Sequence, residues 1–180
     1  MVLIAGQAQP HQLDIDPDSL PDITAPEGAL GLSSSIYRTY GTIHGTVYLP
    51  NKEQTPGAID PELTKTKLCD KKFHTGTVRK VTQKMKVTSC KSYEQMENCP
   101  GQGYELDHLI SIELGGSNDP SNLWPQPADE EGFVVGYHTK DVVENRAHAA
   151  VCRGEITLKE AQEGIADDWY AWGLAHEFVK

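Results

Sequence analysis

Three things are missing from this sequence: a Cys-x-x-Cys pair, an apolar run approaching the ~20 residues of a membrane-spanning helix, and a lysine or arginine ahead of the first apolar stretch. The first absence argues against a tetrahedral zinc site of familiar spacing, which brings thiolates together in close pairs. The second excludes a transmembrane helix, so no membrane partner is expected. The third leaves no intact secretory leader in MVLIAGQAQP, yet the small residues of Ala5-Gly6-Gln7-Ala8 look like a cleavage region, and a secreted or periplasmic protein is the expectation. There are no internal repeats.

What is present is the composition of a folded domain. Of 180 residues, 38% are hydrophobic and 23% charged, enough for one core. Residues 7 to 31 hold Pro10, Pro17, Pro21 and Pro26, five acids and no aromatic residue; such a stretch buries too little surface to offset chain entropy and reads as a mobile arm. From Ser35 to Leu49, β-formers punctuated by Gly41 and Gly45 predict a hairpin or edge strand. The expected division is an N-terminal extension, 1–54, and a domain, 55–180.

The net charge of −10 alone argues against a protein that coats nucleic acid. The average conceals an asymmetry. Thr64 to Lys91 carries nine basic side chains against one acid, Asp70, a local charge of +8 that leaves the rest of the chain at −18. Taken alone the run reads as a solvated surface; beside a site that handles phosphate it becomes a binding face. The cysteines, Cys69, Cys90, Cys99 and Cys152, read best as two disulfides. Cys90 and Cys99 can pair across a short loop, and Cys69 with Cys152 would then tie the basic segment to a later helix. Three connectivities are open to four cysteines, and reduced core thiols stand as the alternative.

Local signals order the domain. Asp60-Pro61-Glu62 starts a helix that runs to Leu68 or Cys69. Thr77–Thr82 and Met85–Thr88 have the content of short strands, and Ser92–Asn98 of a helical turn or two. Thr139 caps a helix from Lys140 to Cys152 that Gly154 ends. Thr157 and Glu160 form a capping box for a last helix, whose Leu158, Ala161, Ile165, Trp169 and Trp172 make an apolar stripe.

Between these lies the segment that carries chemistry. It runs Tyr104-Glu105-Leu106-Asp107-His108, then Gly115-Gly116, then Asn122-Leu123-Trp124-Pro125. In this order the chain resembles the HNH endonuclease family, over Tyr104 to Cys152. The resemblance implies an α+β fold: a ββα-metal core with additional helices, preceded by an extension that adds strands. The Asp-His pair ends the first strand, a glycine-bearing loop follows, the Asn-Leu step opens the second strand, and a helix brings the last ligand. It also implies hydrolysis of DNA, or alternatively RNA, to 5′-phosphate and 3′-hydroxyl ends.

Phosphodiester cleavage needs a base for water, a cation for the developing charge, and donors that hold the phosphate. His108 is the expected base, since imidazole stays mostly unprotonated at pH 7. Asp107 is the expected ligand of one divalent cation, Mg²⁺ by default for oxygen ligands, with Mn²⁺, Zn²⁺ or Ni²⁺ open through a histidine ligand. The resemblance assigns Asn122 to bracing the loop and orienting the His108 ring. On the helix, Lys140, Glu144 and His148 share one face at i, i+4 and i+8. His148 is the first choice of second ligand and Asn145 the second, with Glu144 binding directly or through water; the Pro125–Gly136 insertion keeps that choice open. Arg79, Lys80, Lys84 and Lys140 are the expected contacts to the nucleic-acid backbone, without reading sequence. A non-catalytic nucleic-acid-binding or structural module of the same fold is the alternative.

Overall fold

A computed structural model describes residues 36–39, 46–93, 99, 101, 103–131 and 134–180, all within one compact unit, Gly31–Lys180. The arm expected over residues 7–31 and, beyond Tyr93, the helical turn expected over Ser92–Asn98 lie outside the described residues. In chain order the elements are β1 (Ile36–Thr39), β2 (Thr46–Leu49), α1 (Lys65–Leu68), α2 (Gln83–Ser92), β3 (Tyr104–His108), β4 (Leu123–Pro127), β5 (Val134–Val135), α3 (Tyr137–Arg153) and α4 (Leu158–Ala175). Helix and strand are mixed, in keeping with the α+β expectation.

The hairpin expected over 35–49 forms: β1 and β2 pair antiparallel, Ile36 opposite Leu49 and Thr39 opposite Thr46. β2 also pairs in parallel with β5, Val47 opposite Val135. Its alternating pattern sends Val47 and Leu49 into the main core. That core is shared with α3 and α4, through Val143, Ala147 and Val151 on one helix and Ala161, Ile165 and Trp169 on the other. The Thr157 capping box is present, with Thr157 N donating to Glu160 Oε2 at 2.7 Å and Glu160 N to the Thr157 hydroxyl at 3.1 Å. Gly154 ends α3 at φ 79°, a left-handed position suited to glycine.

Three local expectations are corrected. Asp60 closes a turn instead of capping a helix. Its Oδ1 accepts from Glu62 N at 2.9 Å and its carbonyl from Leu63 N at 3.0 Å, so α1 begins only after Thr64. Thr77–Thr82 and Met85–Thr88 form no strands. A 3₁₀ turn covers Thr75–Thr77, and the Thr82 hydroxyl accepts from Met85 N at 3.2 Å to start α2. Tertiary contact decides this: Ser89 and Cys90 are the buried residues of α2, and the Ser89 hydroxyl donates to Leu123 O on β4 at 3.2 Å. Lastly, α3 starts at Tyr137 because Thr139 is engaged by Asp129, which accepts from Thr139 N at 3.1 Å and from its hydroxyl.

Both expected disulfides form, Cys69–Cys152 with Cα atoms 5.5 Å apart and Cys90–Cys99 at 5.6 Å. They are the signature of an oxidising environment, extracellular or periplasmic. Among the described residues no helix is long and apolar enough to cross a membrane.

Candidate active site

β3 and β4 pair antiparallel with Asp107 opposite Trp124 and His108 opposite Leu123. The pleat therefore sends the two members of the Asp-His pair to opposite faces. Asn122, fully buried at the mouth of β4, fixes the backbone that follows His108. Its Oδ1 accepts from Ile110 N at 2.9 Å, and its Nδ2 donates to Ile110 O and Ser117 O, each at 2.9 Å. Its carbonyl accepts from Leu109 N at 2.8 Å. Gly116 closes the same loop, and a Cβ there would meet Ile110 O at 1.7 Å, so glycine alone fits.

Asn122 thus braces the loop as expected, but the amide beside the His108 ring belongs to Asn118, whose Oδ1 lies 3.4 Å from Nε2. Asn118 also accepts from Lys80 N and donates to Val78 O, both at 2.9 Å. One side chain therefore ties the basic segment to the ring. His108 is 1% exposed, and its Nδ1 is buried with no partner. Burial holds the ring's pKa down to about 4, although Asp107 pulls the other way, and Arg79 adds to the lowering. His108 is a neutral imidazole over the ordinary pH range.

On the other face, Asp107 meets Lys140. The ammonium donates to Asp107 Oδ2 at 2.6 Å, to His108 O at 2.8 Å and to Glu144 Oε1. All three of its protons are used, and the Lys140 side chain is 1% exposed. Lys140 is therefore no contact for phosphate; it is a cation fixed inside the domain. Burial alone would lower its pKa, but Asp107 and Glu144 outweigh that and hold it above the usual lysine range. Burial raises the Glu144 carboxyl, against the pull of Lys140. Asp141 and Glu105 are raised too, each by burial and then by Asp107.

The expected metal ligands are not brought together. Asp107 and Glu144 converge, but on Lys140 Nζ. Asn145 is exposed and donates to Asp141 O at 2.7 Å. His148 sits two turns along α3 from Lys140, with Nε2 3.1 Å from Leu68 O and 3.4 Å from Cys152 Sγ. Among the described residues, the group of histidine, cysteine and acidic side chains spaced to hold a metal ion is Cys69, His148 and Cys152, whose donor atoms lie within 4.8 Å of one another, with the two sulfurs joined in the disulfide.

Of the expected backbone contacts, Arg79 lies where a substrate could reach it. With Lys86, Tyr104 and Glu105 it lines a cleft of about 540 Å³, and its charge is felt at His108, Glu105 and Asp141. Lys80 is exposed on the same loop, while Lys84 lines a separate pocket with Met85 and Tyr93. Sequence reasoning missed Asn118. The available signal was a second asparagine in the Gly115-Gly116-Ser117-Asn118 turn, close enough in the chain to fold back on His108. No family model matches the chain, and no curated protein or solved structure proves similar to it.

Proposed function

We propose that the chain is an HNH-type endonuclease that hydrolyses phosphodiester bonds of DNA, or of RNA, with His108 as the general base. The observation that carries this reading is the ring itself. A neutral imidazole ends β3, the Lys140 ammonium holds its backbone carbonyl from the other face, and the charge of Arg79, which lines a cleft with Glu105 and Leu106 of the same strand, reaches the ring. In this reading β3, β4 and α3 are a ββα core. His108 takes the proton at Nδ1, the buried ring nitrogen that no protein group engages, from a water that must enter with the substrate. Arg79 holds the nonbridging phosphate oxygens, for which its planar fork is suited. Lys140 keeps Asp107 and the His108 carbonyl in place and adds positive charge behind the reacting centre.

A divalent cation, Mg²⁺ on the sequence expectation, does not fit this centre as arranged, because Lys140 Nζ already sits where the oxygens of Asp107, His108 and Glu144 converge. Two disulfides suit an exported enzyme. Phosphate contacts from the basic segment make binding insensitive to sequence and weaker at high salt.

A second reading has one observation in its favour. With the His108 ring 1% exposed, the base is closed to bulk water, as suits a module that binds nucleic acid without cutting it. Supercoiled plasmid separates the two. The nuclease reading expects nicking by the wild type that is lost in His108→Ala and reduced in Arg79→Ala. Nicking that persists in EDTA means that the centre works without a divalent ion, on the charges of Arg79 and Lys140. Nicking restored only by Mg²⁺ or Mn²⁺ means that a divalent ion is required, and at Asp107 and Glu144 it would have to displace Lys140. Intact plasmid under every condition, with a retained gel shift, establishes the binding module instead.

A further inference from the structure

The Cys69–Cys152 bridge joins α1 to α3 and has a histidine against it. His148 and Cys152 lie at i and i+4 on one face of α3, and His148 Nε2 is 3.4 Å from Cys152 Sγ. A tetrahedral zinc ion bonded at ~2.3 Å to sulfur and ~2.0 Å to nitrogen spaces its ligands at about 3.8 Å for two sulfurs and about 3.5 Å for sulfur and nitrogen. The nitrogen to sulfur spacing needed is already present. All three donor atoms lie within 4.8 Å of one another.

We propose that reduction of the Cys69–Cys152 disulfide opens a zinc site made of the two thiolates and His148. A dithiol reductant passes two electrons to the sulfur–sulfur bond and leaves as its own cyclic disulfide. Its two protons go to Cys69 and Cys152 as they become thiols. Zinc then displaces those protons and draws the two sulfurs to its own spacing. His148 Nε2 exchanges its contact with Leu68 O, at 3.1 Å, for the metal, and the ring proton moves to Nδ1. An open cavity of about 500 Å³, lined by Glu113, His74 and Asp70 as well as the three ligands, admits the ion. A water in that cavity completes four-coordination.

The site would do a job the disulfide cannot. In a reducing compartment, before any export, the zinc clip holds α3 against the start of the basic segment; in an oxidising one, the disulfide replaces it. The proposal stands apart from the nuclease reading and does not depend on it.

The test uses the full chain, reduced with a water-soluble phosphine, desalted without oxygen, and titrated with Co²⁺ and then Zn²⁺. The expected result is one Co²⁺ per chain with thiolate-to-cobalt charge-transfer absorption, bleached by Zn²⁺. The band is absent from Cys69→Ser/Cys152→Ser and kept by Cys90→Ser/Cys99→Ser. His148→Ala weakens binding by more than the roughly 10–100-fold typical of losing a partner outside the ligand set. Circular dichroism keeps the test decisive if reduction unfolds the chain: Zn²⁺ must then restore helix. No band in the reduced wild type, a band that survives loss of Cys69 and Cys152, equal affinity in His148→Ala, or an unfolded chain that Zn²⁺ leaves unfolded would each overturn the proposal.

Discussion

Lys140 Nζ lies 2.6 Å from Asp107 Oδ2, across 33 residues of chain, and this one contact joins α3 to the last strand position before His108. The pair is buried on the lysine side and nearly so on the aspartate side, at 1% and 13% exposure. A buried ion pair is weak evidence of net stability, but breaking one leaves a charge without compensation. Lys140→Met should therefore cost about 3–5 kcal/mol, since Asp107 and Glu144 are left facing each other. Adding Glu144→Gln should recover part of the loss. Urea denaturation of the two variants checks both statements, and a Lys140→Met chain within about 1 kcal/mol of wild type would show that the ammonium does not hold the centre.

His108 supplies a pH dependence whose sign follows from its environment. Its folded pKa is about 4, below the ordinary 6.5. The unfolded chain therefore takes up the proton first as pH falls, and the stability that the neutral ring contributes is lost between pH 6.5 and about 4. The full effect is on the order of 3 kcal/mol. His108→Gln should lack this dependence, so its melting temperature should rise relative to wild type as the pH drops from 7 to 4. Glu144 acts oppositely. Its pKa is raised, so its contribution is fully present in acid and falls as the pH climbs above the ordinary carboxylate range. Glu144→Gln isolates that slope. Parallel pH profiles for wild type and His108→Gln would refute the assignment.

Much of this arrangement was legible in the sequence, because it rests on short-range rules. The capping box at Thr157, the stop at Gly154, the Asp-His strand end and the Cys90–Cys99 bridge obey local chemistry or chain proximity, and Cys69–Cys152, 83 residues apart, follows as the pair that remains. What was not legible depends on long-range partners. Thr139 reads as a helix cap until Asp129 is seen beside it. Met85–Thr88 reads as a strand until Ser89 is seen bonded to Leu123. Lys140 illustrates the limit best. Its spacing from Glu144 was plain, but a lysine in a helix's first turn reads as a surface cation, and only the approach of Asp107 makes it internal. The same contact displaces the expected metal, and His148, the first choice of ligand, turns to a disulfide that spacing placed nearby without revealing the third partner.

Two asparagines divide the work that the sequence assigned to one, and stability and activity should separate them. Asn122→Ala removes three hydrogen bonds from its side chain to Ile110 and Ser117 in a buried setting. It should cost about 3 kcal/mol or more. Asn118→Ala removes a half-buried amide and should cost about 1 kcal/mol. If His108 is the base, Asn118→Ala should also shift the pH dependence of cleavage, because the amide's contact favours the protonated ring. Denaturation midpoints and a pH–rate profile on plasmid check the pair. A profile unmoved in Asn118→Ala would remove that residue from the positioning of the ring.

The two disulfides close loops of very different length, with sequence separations of 83 and 9. Loop entropy assigns them about 4.5 and about 2.5 kcal/mol, through the effect of a cross-link on the unfolded chain. Cys69→Ser/Cys152→Ser should thus lower stability by about 2 kcal/mol more than Cys90→Ser/Cys99→Ser, measured by urea denaturation without reductant. The ranking has a structural reason as well. The longer bridge spans from the end of α1, at Leu68 and Cys69, to the last turn of α3. Lys140 and Glu144 lie on that same helix. Losing the bridge frees one end of the helix that carries both, so the destabilisation should come with faster amide exchange in the last turn of α3. Equal losses for the two variants would mean that the unfolded chain already keeps α1 near α3.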